Sequence, residues 1–418
     1  MAARRLLVDI EPLRSSPQFR RLWTGYLFSV LGSQLTVVAV PYQVYRITHS
    51  SLDVGLIGLA QIGPVLLGAL AGGSVADAFD RRRVLLASQT LLAMCSIGLL
   101  VNASAGHPLL WPLYVLSGAS AGFAAMDVST RAAVFANLVE RRQLVSANAL
   151  WQLLFQIGTV VGPAVAGVLL AKIGVASAYG ADSATFVISL ASVWSLAPLP
   201  PLEGGTRFGW QSMKEGLAFL RGRQVLQASF VIDLNAMVLG MPRALFPALA
   251  LTRFRGGAQT LGLLYAAPGV GALAGAGLAG WVTSVRRQGR AVLVSVAIWG
   301  LSIAAFGIVL WLPGALVLLA VAGAADVISA VFRGTILQTE APDALRGRVS
   351  SIHTAVVTGG PRLGDVEAGV VASLAGVPTS VISGGLGCLV GVGLVWRLMP
   401  RLAAYVAPKS GLDGEHAT

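Results

Sequence analysis

Charged side chains are scarce in this chain. Asp, Glu, Lys and Arg together make up 11% of its 418 residues, whereas hydrophobic residues make up 55%. A soluble globular domain carries about 25% charged residues, so this deficit excludes an ordinary soluble protein. Apolar stretches long enough to cross a membrane, at about 20 residues each, can instead be placed twelve times. They lie near Leu22 to Tyr45, Val54 to Ala76, Val84 to Ser104, Leu109 to Arg131, Leu144 to Ala171, Ile173 to Leu196, Val225 to Ala250, Leu261 to Val285, Ala291 to Leu312, Ala315 to Leu337, Val349 to Ala375 and Pro378 to Trp396.

Cysteine and histidine are also rare. Cys95 and Cys388 lie far apart inside apolar spans, so we expect two buried, inert thiols and no disulfide. The four histidines lack zinc-ligand spacing. None of the three lysines follows a glycine, so the GxxxxGK[ST] loop of ATP-hydrolysing proteins is missing. We therefore expect no metal, no cofactor and no enzyme activity, and any energy for work must come from an ion gradient.

The net charge of +12 does not indicate nucleic-acid binding, because the basic residues are spread over short loops. Lysines and arginines outside the spans gather on the side that holds both termini. The opposite side has only Arg46, Lys172, Arg253 and Arg255. By the positive-inside rule this asymmetry predicts a multi-pass protein of the cell (inner) membrane with both termini in the cytoplasm.

The second half of the chain repeats the first. The pentapeptide GALAG occurs at 68–72 and again at 271–275, and other pairs keep nearly the same offset: Pro41 with Pro247, Gly55 with Gly262, and Arg131 with Arg333. Apolar spans of this length form helices in a bilayer. The sequence therefore predicts an all-α membrane protein of twelve transmembrane helices in two six-helix bundles, residues 1–197 and 225–418. A duplicated membrane chain of this kind is typical of a transporter.

The bundles are joined by a central segment, residues 198–224. It opens with prolines and glycines and continues from Trp210 to Leu220 with apolar residues at helical spacing. This pattern predicts a cytoplasmic linker with an amphipathic helix on the inner leaflet.

The first GALAG leads into Gly73-Ser-Val-Ala-Asp77-Ala-Phe-Asp80-Arg81-Arg82-Arg83. This segment resembles the GxLxDRxGRR signature of the major facilitator superfamily, with Gly73, Asp77, Arg81 and Arg82 in the matching places. It departs from the signature at Ala78 and Asp80. The resemblance implies that Asp77 lies at the N-terminal end of the eleventh helix and latches a cytoplasmic gate. A loop that merely obeys the positive-inside rule is the alternative, and it explains the arginines but not Asp77.

Other segments are similar to the siderophore (enterobactin) exporter branch of that superfamily. They are FRRLW at 19–23, AVPY at 39–42, LGLLYAA at 261–267, LQTEAP at 337–342 and LRGR at 345–348. Their order over nearly the whole chain carries the resemblance. It implies export of an anionic siderophore, with proton-driven multidrug efflux and, after it, lipid movement as alternatives. Small molecule, protons and lipid are the expected partners, and we expect a monomer.

Charges inside the spans are the remaining candidates for function. Each charged side chain that faces lipid costs about 2.5 to 3.5 kcal/mol. If all of them faced lipid, their summed cost would exceed a typical net stability of about 5 to 15 kcal/mol. They are therefore expected to face each other or a water-filled cavity. We assign them to the substrate and proton pathway, with the arginines holding the solute and carboxylates exchanging protons: Asp127, Arg131, Asp233, Arg243, Asp326, Arg333, Arg362, Asp365 and Glu367.

Spacing predicts three pairs within single helices: Asp127 with Arg131, Asp326 with Arg333, and Arg362 with Asp365. Purely structural pairing is the alternative for any one of them. Asp182 is interpreted as structural. His353 is interpreted as a packed, neutral histidine, with proton relay as the alternative.

Overall fold

A computed structural model describes residues 9–199, 218–278 and 285–407, except for the side chains at positions 73, 74, 76, 77, 133, 136, 343, 344, 346–348, 350 and 351. Twelve long helical segments occur in these ranges. They are α1 (Pro17–Thr48), α2 (Ser51–Ala78), α3 (Arg81–Ser104), α4 (Trp111–Asn137), α5 (Leu144–Lys172), α6 (Val175–Trp194), α7 (Gln224–Leu239), α8 (Gly257–Leu278), α9 (Gln288–Ile308), α10 (Leu312–Glu340), α11 (Asp343–Ala375) and α12 (Val377–Leu398).

Side-chain caps fix where the first helices begin. The Ser16 hydroxyl accepts a hydrogen bond from Phe19 N at 3.2 Å, and the Ser50 hydroxyl accepts one from Asp53 N, also at 3.2 Å. Each cap satisfies a backbone donor that the first turn of a helix leaves free. The turn between α1 and α2 is therefore only a few residues long, and the two helices run antiparallel.

Nine segments of the described chain are long and apolar enough to cross a membrane, if α7 and the turns that follow it are taken as one. The other three helices, α4, α6 and α11, all carry charged residues in their apolar stretches. These residues are Asp127 and Arg131 on α4, Asp182 on α6, and Arg362, Asp365 and Glu367 on α11. Charged residues within the apolar stretch thus lower the mean hydropathy of these helices, although α7 and α10, which carry Asp233 and Arg333, still pass as spans.

The predicted span from Val225 to Ala250 is wrong as a continuous helix. Helix α7 ends at Leu239, and the chain resumes helical turns only at Arg243. Gly240 and Pro242 explain the break, because proline has no backbone N–H and disfavours helical backbone in the residue before it. The Trp299 indole N–H donates to the Gly240 carbonyl at 2.9 Å and fixes the interruption. As a result Arg243 lies at a bend instead of inside a helix.

Helix packing follows the internal repeat. In the first half α1 packs on α5 and α6, α4 packs on α2 and α3, and α3 also packs on α6. In the second half α7 packs on α11 and α12, α10 packs on α8 and α9, and α9 also packs on α12. Each contact of one half therefore has its counterpart in the other.

The two GALAG pentapeptides form equivalent close contacts. A Cβ atom on Gly68 would lie 2.0 Å from the carbonyl oxygen of Gly122 on α4, and one on Gly271 would lie 1.7 Å from the carbonyl oxygen of Ala320 on α10. Only glycine permits such approach of two helix backbones. The repeated motif is therefore the contact that holds α2 to α4 and α8 to α10.

The halves meet along two related seams, α2 with α11 and α5 with α8. A Cβ atom on Gly55 would lie 2.5 Å from the carbonyl oxygen of Asp365, and one on Gly262 would lie 2.5 Å from that of Pro163. Gly55 and Gly262 are the pair that the repeat predicts to be equivalent. Both belong to the first turns of helices that start at the same side of the molecule, which we call the α1–α2 end.

Candidate functional site

A cavity of about 990 Å³ is lined by both halves of the molecule. Helices α1 to α6 form most of its wall, and α8, α11 and the turn after α7 complete it. Most of the lining is apolar, and it includes Phe155, Phe186 and Tyr265. Pockets of about 300–1,000 Å³ with apolar walls and a few polar groups are typical small-molecule sites.

Cationic groups occupy one part of this wall. Arg243 and Arg362 both line the cavity, together with Asp365. The Arg362 Nη1 group donates to the Thr358 carbonyl, while its buried Nε has no hydrogen-bond partner among the described residues. Within the described side chains, neither guanidinium has a carboxylate oxygen within 4.0 Å. This part of the cavity can therefore receive an anionic group.

The predicted pairing of Arg362 with Asp365 is thus not a direct ion pair, although the two charges interact at longer range. Asp365 Oδ1 instead accepts a hydrogen bond from the backbone N–H of Ala244 at 3.1 Å. This bond links α11 to the bend after α7. The Tyr265 hydroxyl donates to the Arg243 carbonyl at 3.3 Å. The bend that Gly240 and Pro242 create frees this backbone donor. The spacing of charged side chains therefore could not predict the contact.

Asp127 and Arg131 form the predicted pair on α4. Arg131 Nε lies 2.8 Å from Asp127 Oδ2, and Arg131 Nη2 lies 3.2 Å from Asp127 Oδ1. Ser88 and Gln89 of α3 donate to the same Oδ1 at 3.1 and 3.0 Å, and the Arg131 guanidinium lies 4.5 Å from the centre of the Tyr26 ring.

This pair is closed off from the cavity. Arg131 is fully buried, Asp127 is 3% exposed, and neither lines the cavity wall. The expectation that Arg131 holds the solute and Asp127 exchanges protons does not fit this position, because both groups are enclosed and already paired.

Arg333 has a closer partner than the predicted one. Its Nη2 lies 2.8 Å from Asp233 Oδ1 on α7 and 3.9 Å from Asp326 Oδ1 on its own helix. The i,i+7 pair with Asp326 is therefore secondary, because the cross-helix carboxylate lies closer. His353 Nε2 of α11 lies 3.9 Å from Asp233 Oδ2, so the histidine joins the same cluster.

The remaining candidates are more isolated. Asp182 lines the cavity, and its Oδ2 accepts hydrogen bonds from Thr36 at 2.7 Å and Ser96 at 3.0 Å, which ties α6 to α1 and α3. Asp326 and Glu367 are partly exposed and do not line the cavity. Tyr265 and Phe155 were not among the predicted site residues, since aromatic residues in apolar spans carry no distinguishing pattern.

The gating motif falls only partly on described side chains. Gly73 and Asp77 belong to α2, but their side chains lie outside the described residues. Arg81 is 5% exposed, and Arg82 donates to the Trp194 carbonyl at 2.6 Å. Asp80 caps α3, because its Oδ1 accepts from Arg82 N at 2.8 Å. The aspartate that departs from the family signature therefore serves as a helix cap.

Comparison with known proteins identifies the family. The sequence matches the family of major facilitator proteins described as "Transmembrane secretion effector" over residues 9–410. The chain belongs to the major facilitator superfamily. It is therefore a multi-pass membrane transporter by family and not an enzyme, as the sequence predicted.

Relatives and solved structures agree with this assignment. The chain is 31% identical to the enterobactin exporter of Citrobacter koseri over 409 residues, 98% of each chain. It is 31% identical to the enterobactin exporter of Shigella boydii over 92% of each chain. A peptide transporter of the POT family shares its fold with a TM-score of 0.75 at 10% identity, covering 94% of this chain and 96% of the other. A bacterial homologue of the iron transporter ferroportin, in an inward-facing state, shares the fold with a TM-score of 0.70 at 16% identity. The match covers 93% of this chain and 99% of the other. The predicted resemblance and all-α fold class are thus confirmed.

Proposed function

We propose that the chain is a secondary transporter that exports a siderophore by proton-coupled alternating access. The observation that carries the proposal is the shared cavity, where Arg243 and Arg362 have no carboxylate oxygen within 4.0 Å among the described side chains and stand beside apolar and aromatic walls. A siderophore presents hard oxygen donors, often anionic, on an organic body, which suits both features. The identity of 31% over 98% of an enterobactin exporter supports this substrate class.

The two halves, 1–197 and 225–418, are proposed to move as bundles about the segment 198–224. Most of that segment lies outside the described residues. We place both termini in the cytoplasm, so that the α1–α2 end faces outward. Gly55 and Gly262 then close the outer side, and the cavity opens toward the cytoplasm, where an exporter must load its solute.

The gate on the cytoplasmic side is proposed to use Gly73, Asp77, Arg81 and Arg82. Asp77 would engage the start of α11, whose first backbone N–H groups carry a partial positive charge. Arg82 and Asp80 anchor the same loop to the end of α6 and the start of α3. A carboxylate at the end of α2, next to a loop anchored in this way, meets α11 only when the cytoplasmic ends approach each other.

Loss of either cavity arginine is expected to weaken solute binding. Arg243→Gln or Arg362→Gln removes a charge-assisted hydrogen bond of about 1.5–3 kcal/mol, which corresponds to roughly tenfold or more in Kd. Binding of iron-free enterobactin to the purified protein, followed by tryptophan fluorescence, measures the change. Arg46→Gln is the matched control, since Arg46 is exposed and bonds only to the Tyr42 hydroxyl among the described residues. Equal affinity in all three variants would remove the arginines from the site.

The function itself is tested in cells. A deletion strain grown under iron starvation should retain siderophore inside the cell, and the secreted amount should return with the wild-type gene. If secretion is unchanged while tolerance of unrelated drugs falls, multidrug efflux replaces siderophore export.

A further inference from the structure

Each repeat contains an equivalent buried arginine, but the side chains around it differ between the two halves. Arg131 on α4 and Arg333 on α10 are equivalent by the repeat. Their helix partners four residues earlier are Asp127 and Ser329, and each bonds its arginine: Arg131 Nε to Asp127 at 2.8 Å and Arg333 Nη1 to Ser329 Oγ at 2.9 Å. The position of the Asp127 carboxylate in the first half is therefore occupied by the Ser329 hydroxyl in the second half.

The neighbouring helices complete the comparison. In the first half the Arg131 guanidinium lies over Tyr26 of α1, and Tyr26 stacks on Trp151 of α5 with ring centres 4.8 Å apart. In the second half, Arg333 Nη2 contacts Asp233 of α7 at 2.8 Å. The carboxylate of Asp233 in turn faces His353 of α11 at 3.9 Å. Helices α7 and α11 are the repeats of α1 and α5, so Asp233 and His353 take the places of Tyr26 and Trp151.

The two carboxylates differ in how fully they are satisfied. Asp127 accepts hydrogen bonds from Ser88, Gln89 and Arg131, so both of its oxygens have donors. Asp233 is 1% exposed, and its Oδ2 accepts no hydrogen bond from the described residues. His353 Nε2 lies 3.9 Å from that oxygen. An open acceptor on a buried carboxylate is a place where a proton can reside.

From this asymmetry we propose that Asp233 is the proton-binding group of the transporter and that His353 passes protons to it. The inference rests on the proposed proton-coupled function and names its site. A proton arrives on His353, whose side chain is 35% exposed, and moves from Nε2 to Asp233 Oδ2. His353 returns to its neutral form and Asp233 becomes a neutral acid.

Neutralising Asp233 redirects Arg333. The alternative carboxylate, Asp326 Oδ1, lies 3.9 Å from Arg333 Nη2, and its side chain is 40% exposed. Because Asp326 is on the same helix as Arg333, the ion pair moves from a tie between α7 and α10 to a pair within α10. Protonation thereby releases α7, the helix whose bend carries the cavity residue Arg243.

The other elements packed on α7 add no further charge at this position among the described residues. Helix α9 meets α7 through Trp299 at Gly240, and α12 meets it through Cys388 at Asn235. Within the described side chains, the charged and titratable groups of this cluster around Asp233 are therefore Arg333, Asp326 and His353.

Infrared difference spectroscopy of the purified full-length protein in lipid nanodiscs tests the site without a solute. A pH step should produce the carbonyl band of a protonated carboxylic acid, and Asp233→Asn should remove it. Asp365→Asn, which neutralises a cavity carboxylate instead, should retain the band. Tyr26→Phe, at the equivalent place in the first half, should also retain it. A band that persists in Asp233→Asn, or disappears in Asp365→Asn, overturns the proposal.

His353→Gln keeps the ion pair between Arg333 and Asp233 and so serves where Asp233→Asn fails to fold. It should slow the appearance of the band after a rapid pH step, and an unchanged rate would remove His353 from the path. In proteoliposomes, both variants should lose uphill transport of enterobactin while solute exchange persists. If the wild type moves no enterobactin but shows the Asp233 band, the substrate assignment fails and the proton site stands.

Discussion

Replacing Gly55 by valine is expected to drive the transporter out of the conformation described here. The added Cβ would lie 2.5 Å from the Asp365 carbonyl oxygen and 3.2 Å from Gly369 Cα, so α2 and α11 cannot keep their present distance. Gly262→Val acts on the other seam, where the added atom would lie 2.5 Å from the Pro163 carbonyl oxygen. Both changes open the α1–α2 end.

Overpacking of this kind costs about 1–3 kcal/mol. At 1.4 kcal/mol per tenfold, the population closed at the α1–α2 end should fall roughly five- to hundredfold. Spin labels placed at the α1–α2 ends of α2 and α11 report the separation directly. Gly63→Val on the same helix is the control, because a Cβ there meets no atom within 4 Å. Identical distance distributions for Gly55→Val and Gly63→Val would show that this seam does not close the transporter.

Asp127→Ala is expected to cost a large part of the protein's stability. It leaves the Arg131 guanidinium fully buried without its carboxylate, and breaking a buried pair in this way costs about 3–5 kcal/mol. Since net stability is typically about 5–15 kcal/mol, the melting temperature in detergent should fall sharply. Asp127→Asn with Arg131→Gln, which removes both charges, should recover part of the loss.

The exposed pair of Glu140 and Arg142 provides the comparison. Their side chains are 67% and 70% exposed, and such surface pairs are worth about 0–1 kcal/mol. Glu140→Ala should therefore leave the melting temperature almost unchanged. Equal effects of Glu140→Ala and Asp127→Ala would contradict a structural role for the pair on α4.

Features that the chain repeats were predictable from sequence. Gly55 and Gly262 recur at a constant offset because each permits a close backbone contact, and such contacts tolerate no side chain. The pair of Asp127 and Arg131 was also predictable, since residues four apart share one helix face. In both cases the contact depends on a single glycine or on two residues of one helix, so the sequence alone contains the information.

Partners on other helices were not predictable in the same way. Arg333 selects Asp233 over Asp326 because α7 packs beside α10, and no spacing within α10 contains that information. Asp365 accepts a backbone N–H that is free only because Gly240 and Pro242 interrupt α7. Tertiary packing decides these contacts, so they emerge only with the fold.

Uphill transport in proteoliposomes tests the central claim most directly. Purified protein oriented with its termini outside would be supplied with iron-free enterobactin outside and an acidic interior. We predict accumulation of enterobactin inside the vesicles that scales with the imposed proton gradient and disappears when a protonophore collapses it. Accumulation that survives the protonophore, or entry that never exceeds the outside concentration at any gradient, would contradict proton-coupled siderophore export.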